Sequence, residues 1–174
     1  METIDIPPMI NGEITFRDVP ISSLPRLPHD VKILHIENTK IQTISEGDLP
    51  EGLEELYCIN NSELTSIKGL PTGLKGLILC ACPLQVIPLT LPSTLHILHI
   101  ANTELTSLPE LPDTIHILLC CGNKDITKLP DRLPSRLGMI WIHSYPNLLS
   151  LPDELPEFED RFVKNLNRQW WLHL

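Results

Sequence analysis

The residues best suited to chemistry in this chain are its five cysteines and seven histidines. Cys80 and Cys82 are one residue apart and Cys120 and Cys121 are adjacent. Neither pair has the CxxC spacing of a zinc ribbon or a dithiol redox motif. The other chemistry to weigh is a Cys–His nucleophile, with Cys80 or Cys121 attacking and His99 or His143 as the base. Such a dyad needs the two groups within hydrogen-bond reach, an orienting group and an oxyanion site. The sequence has no Gly-rich loop and no nucleophile elbow to supply either of the last two. It therefore predicts a non-enzyme with no cofactor, no metal centre and no small-molecule substrate.

What positions these side chains is a repeat. The segments LPHDVKILHIENTKIQTI, LPEGLEELYCINNSELTSI, LPTGLKGLILCACPLQVIP, LPSTLHILHIANTELTSLP, LPDTIHILLCCGNKDITKLP and LPSRLGMIWIHSYPNLLSLP share one pattern, LPxxLxxLxLxxNxLxxLP. A weaker copy, NGEITFRDVPISSLP, precedes them. One aligned apolar position runs Ile14, Leu34, Leu56, Leu77, Leu98, Leu118, Ile140, at spacings of 20 to 22 residues. That period is too short for a pair of helices, so each unit must be one short strand and a return path. The triplets Leu34-His35-Ile36 and Leu98-His99-Ile100 alternate inside and outside with the period of two that a strand imposes. The recurring Leu-Pro pairs disfavour helix on the return, because proline fixes φ and restricts the residue before it.

Strand periodicity then names the face turned away from the leucine stack. Its three rows are Glu13, Ile33, Glu55, Gly76, Ile97, Ile117, Met139; then Thr15, His35, Tyr57, Ile78, His99, Leu119, Trp141; then Arg17, Glu37, Ile59, Cys80, Ala101, Cys121, His143. All four charges of the three rows fall in the first three repeats. Strands lie ~4.8 Å apart, so Tyr57, Ile59, Ile78, Cys80, Ile97, Ile117, Leu119, Cys121, Met139 and Trp141 merge into one apolar patch. A contiguous apolar area of more than a few hundred Å² is seldom exposed without a use. An aromatic and Met-containing centre with a charged edge is the composition of an interface core. These ten residues are the expected partner-binding site, with Glu37 and Glu55 as orienting charges. Cys80 and Cys121 lie two strands apart, ~10 Å between Cα atoms, beyond the ~7 Å limit for a disulfide. His96 and His116 stack in the row before the strands, where a solvated face explains them.

The repeat pattern resembles the LPX-type, or bacterial-type, leucine-rich repeats of secreted enterobacterial effectors, some of them fused to an E3 ubiquitin ligase domain. Similar repeats occur in large DNA virus proteins. The resemblance covers about residues 11 to 156. It implies an α/β leucine-rich-repeat solenoid: a single short curved parallel β-sheet on the concave side, an extended polyproline-like convex side and little helix. The asparagine ladder of such repeats is kept only at Asn61 and Asn123. Val19, Thr39, Cys82, Thr103 and Tyr145 occupy the position elsewhere, so turn-to-turn bonding is expected to be irregular. The ligase domain and its cysteine are absent, and ligase activity is not expected.

Domain organisation follows: an N-terminal cap over 1–13, seven repeats over 14–156, and a C-terminal cap or docking tail over 157–174. Trp170 and Trp171 lie in that tail and either cover the last leucine layer or dock on a partner. A formal charge of −9 argues against nucleic acid as the partner, since that role wants a basic stripe. No run of residues approaches the ~20 apolar ones that a membrane span needs. The acidic, proline-containing start is not a secretory signal. Five thiols and no targeting segment point to a reducing, cytoplasmic compartment, including a host cytosol or a virion. The expected function is a protein-interaction module whose partner is another protein or a second copy of the chain. The alternative is a structural subunit of a larger assembly, an oligomer or virus particle, docked through the concave face or the tail.

Overall fold

The structure is a computed structural model that describes residues 6–143 together with 146 and 147. Among the described residues nine strands follow one another: β1 Glu13–Arg17, β2 Ile33–Glu37, β3 Thr43–Ile44, β4 Glu55–Ile59, β5 Ser66–Ile67, β6 Gly76–Cys80, β7 Ile97–Ala101, β8 Ile117–Cys121 and β9 Met139–His143. Seven of them form one parallel sheet in the order β1-β2-β4-β6-β7-β8-β9. The register is unbroken, with Ile14, Leu34, Leu56, Leu77, Leu98, Leu118 and Ile140 paired across every ladder. No helix forms among the described residues.

Alternation does the sorting. Strands β2, β4 and β8 each bury their second and fourth residues and leave the other three half-buried. The turn that carries β4 contributes Leu53, Leu56, Cys58, Leu64 and Ile67, all fully buried. Each large apolar side chain so buried is worth ~1.5–3 kcal/mol relative to exposure. A lone turn would expose both faces of that layer, so the core exists only as a stack. A further two-stranded parallel sheet, β3 with β5, lies on the return path, and Val86 extends it by a bridge to Ser66. The expectation of a single sheet missed this small ladder.

The Leu-Pro pairs do more than exclude helix. In six successive turns the proline carbonyl accepts the N–H of the residue three positions on, from Val31 to Pro28 through Leu137 to Pro134, at 3.0 to 3.5 Å. Each proline thus opens a β-turn that delivers a core residue and then the strand. The position just before the strand continues the ladder. Its carbonyl takes two N–H groups from the following turn, as Lys32 O does from Glu54 (2.8 Å) and Glu55 (3.0 Å).

Strand exits share a second device. The residue after each of the first six strands of the seven-stranded sheet is left-handed: Asp18, Asn38, Asn60, Ala81, Asn102 and Gly122, with φ between 52° and 65°. In the first five of them the N–H still reaches the next turn, as from Asn60 to Cys80 O at 2.9 Å. The chain turns out of the sheet there without losing a ladder bond. Asn, Asp and Gly tolerate that conformation best, and Ala81 is the exception.

The asparagine ladder is more orderly than expected. Asn61, fully buried, accepts from Thr39 N (3.0 Å) and Thr39 Oγ1 (2.8 Å) and donates to Ile36 O (2.8 Å). Asn123 repeats the arrangement with Thr103 N (3.0 Å), Thr103 Oγ1 (2.7 Å) and Ile100 O (2.9 Å). A threonine one turn earlier donates its hydroxyl to the asparagine carbonyl, which makes two Thr–Asn pairs. Cys82 separates them, its thiol 3.5 Å from Cys58 O.

At the N-terminal end, Asn11 and Gly12 both have positive φ (52° and 80°). Ile10 and Glu13 exchange two backbone bonds across them, at 2.9 and 3.0 Å. This is a two-residue hairpin of the Asn-Gly type. The expected cap over 1–13 is described only from residue 6 onward.

Candidate partner-binding face

The three outward rows stand in the expected register, and they divide into a polar end and an apolar end. On β1, β2 and β4 the side chains bond to one another. His35 stacks on Tyr57 with centroids 4.3 Å apart and planes 11° from parallel. Nε2 of His35 lies 3.3 Å from Glu13 Oε1. The Tyr57 hydroxyl donates to Glu55 Oε2 at 2.6 Å. That bond, reinforced by burial, pushes the phenol up to about 12. Arg17 Nε and Glu37 Oε2 form an ion pair at 2.6 Å. Of the two orienting carboxylates expected from sequence, Glu37 therefore has its charge offset by a neighbour, whereas Glu55 has only a phenol.

From β6 to β9 the face is largely apolar, with His99 between Ile78 and Leu119. Ile97, Met139 and Trp141 are exposed, at 38%, 39% and 42%. Ile59, Ile78, Cys80, Ile117, Leu119 and Cys121 are half-buried, as the walls of a sheet face are when flanked by neighbours on both sides. Gly76 and Ala101 are buried and give the surface its low points. Trp170 and Trp171 lie outside the described residues.

The cysteines and histidines can now be weighed by geometry. Cys58, Cys82 and Cys120 are buried, and no cysteine is bridged to another. The register Cys80–Ala101–Cys121 puts one strand between the two outward thiols. Cys80 Sγ touches His99, at 3.6 Å from Nδ1 and 3.7 Å from Nε2. Near-equal distances to both nitrogens mean the sulfur is not aligned with either in-plane lone pair, as a nucleophile–base hydrogen bond requires. Burial pushes the Cys80 thiol up to about 11 and holds the His99 imidazole below its ordinary value. Both shifts favour the neutral forms, the opposite of an activated thiolate. His143 is in backbone register with Cys121, and its side chain lies outside the described residues.

Beside this face runs a row with a different character. Glu54 holds Lys75 (2.6 Å) and Lys32 (3.4 Å) on the turns either side, and the two ammonium groups keep its carboxyl below the ordinary range. His96 and His116 follow in the same row, stacked at 5.5 Å and 8°. Sequence analysis found the histidine pair but missed the Lys–Glu–Lys ladder. The signal was available, since Lys32, Glu54 and Lys75 occupy one repeat position with alternating sign. It also missed the stack of His35 on Tyr57, adjacent members of the middle row.

No family model matches the chain, and no curated protein matches it by sequence. Among solved structures it is similar to YopM from Yersinia enterocolitica WA-314, with a TM-score of 0.66 and 28% sequence identity over 78% of this chain. The chain spans 29% of that protein's length. With the repeat pattern, this makes it a solenoid of the leucine-rich-repeat type.

Proposed function

We propose that this chain is a non-enzymatic protein-interaction module that docks a protein partner on the outward face of its seven-stranded sheet. The observation that carries the proposal is a set of exposed large apolar side chains, Ile97, Met139 and Trp141, joined across the sheet by Ile117 and Leu119. Burying these side chains supplies affinity at ~1.5–3 kcal/mol for each large one fully desolvated. The polar end supplies orientation and choice of partner. Tyr57, Ile59, Cys80 and Cys121 complete the surface. The partner is a protein, not a nucleic acid or a small molecule. The LPX-type pattern and the likeness to YopM support an effector or host-interaction setting, and the five thiols suit a reducing compartment such as a host cytosol. The domain plan is a cap over 1–13, repeats over 14–156 and a tail over 157–174 that contains Trp170 and Trp171.

The test compares the intact chain with a Trp141→Ala/Leu119→Ala double variant. Both positions point away from the core, so the variant keeps the circular dichroism spectrum and melting behaviour of the parent. It is expected to lose capture of the protein partner. Full capture by the variant would place docking on another surface.

A further inference from the structure

We infer that the segment held on this face has a basic end and an apolar end. Its Lys or Arg side chains meet Glu13 and Glu55 over β1–β4, and its large apolar side chains meet Ile97, Leu119, Met139 and Trp141 over β7–β9. The inference rests on the docking role proposed above and adds the chemistry of the occupant.

Charge on the face decides the basic end. Its outward rows carry three carboxylates and one guanidinium, and Arg17 is held by Glu37. Among the described residues, Glu13 meets the Thr15 hydroxyl and His35, and Glu55 meets the Tyr57 hydroxyl, none of them a permanent cation. The nearby ammonium groups of Lys32 and Lys75 are both engaged by Glu54. The two carboxylates flank Ile33 in the register Glu13–Ile33–Glu55, ~10 Å apart at the ordinary strand spacing. An ionised carboxylate has about four acceptor sites, so both can take further donors. A neutral or acidic occupant that runs from the apolar end on over β1–β4 would strip water from these carboxylates without replacing it. Uncompensated desolvation of that kind opposes binding. A cation on the occupant removes the penalty, rejects acidic competitors and speeds encounter.

Spacing sets the length. From Glu55 on β4 to Trp141 on β9 are four strand gaps, or ~19 Å at ~4.8 Å each. An extended segment rises ~3.3 Å per residue, so about five or six residues separate its basic group from its apolar anchor.

The experiment selects from a random peptide library displayed on phage against the full chain, then measures the enriched peptides by titration. Enriched peptides are expected to carry Lys or Arg about five or six residues from Trp, Phe or Leu. Their affinity falls about tenfold or more in Glu13→Gln/Glu55→Gln, which keeps polar partners for His35 and Tyr57, and it weakens as salt rises. Trp141→Ala weakens them as well. Enriched peptides that lack basic residues, or that bind the Gln variant unchanged yet depend on Trp141 and Leu119, overturn this inference and leave the docking face standing. Peptides indifferent to all four positions overturn both. A library that yields no binder overturns the peptide chemistry, and the partner capture described above then judges the face separately.

Discussion

Replacing Asn61 by alanine is expected to be among the costliest single changes outside the leucine stack. The side chain is fully buried and makes three bonds to the preceding turn: two as acceptor from Thr39, one as donor to Ile36 O. Alanine leaves the Thr39 N–H and the Ile36 carbonyl without those partners in a dry interior, at ~1–3 kcal/mol each. The Thr39 hydroxyl loses its acceptor too and keeps only the bond that it accepts from Ile41 N, at 3.4 Å. The two backbone groups together account for a loss of about 2–6 kcal/mol. At about 2–4 °C per kcal/mol for a chain of this size, the melting temperature falls by roughly 4 to 24 °C. Thr39→Val removes only the hydroxyl and keeps the backbone bond to Asn61, so it costs ~0.5–1.5 kcal/mol. Urea titrations followed by far-ultraviolet circular dichroism measure both. A loss below ~1 kcal/mol for Asn61→Ala, or equal losses for the two variants, would refute the assignment of the amide as the bond that joins these turns.

Three further outcomes follow from particular geometries. Ala81 sits at φ 53°, where a Cβ costs ~1–2 kcal/mol. Ala81→Gly is therefore expected to gain a few tenths to ~1 kcal/mol after its larger unfolded-state entropy is counted, read from the urea midpoint. A Cβ at Gly122, at φ 65°, would collide with Asn102 Oδ1. Gly122→Ala should lose ~1–3 kcal/mol, and less in an Asn102→Ala background, where only the backbone strain remains. In Glu55→Gln the Tyr57 phenol should ionise well below its value of about 12 in the parent, as read from phenolate absorbance. The folded value is raised, so this contribution to stability is complete below pH ~10, the unfolded phenol value, and is lost as pH climbs through the folded one. A pH profile unchanged by Glu55→Gln would show that the hydrogen bond does not hold the proton.

The strands and their register were legible in the sequence for a physical reason. A parallel ladder of repeats has one free parameter, the alignment of Leu34 with Leu56 and Leu77, and period-two alternation fixes which residues then point inward. The same alignment gave the composition of the outward face, from Glu13 to Trp141. The return path was less legible, because nothing in its composition distinguishes the Leu-Pro turns from a polyproline run. The hydrogen bond from the third residue on to the proline carbonyl is a matter of dihedral angles. The left-handed row was half-visible: Asn38, Asn60, Asn102 and Gly122 announce it, and Ala81 conceals it.

What the sequence determined alone is the inside and outside of the coil, because burial follows periodicity and periodicity is written in residue types. What only the folded chain decided is who bonds to whom across neighbouring turns. Arg17 offsets Glu37, Tyr57 engages Glu55, Glu54 holds two lysines, and Thr39 serves Asn61. These pairings depend on rotamers and on distances of a few tenths of an ångström between residues some 20 positions apart. Among the described residues they leave Glu13 and Glu55 with no lysine or arginine, and so they set the charge that a partner meets.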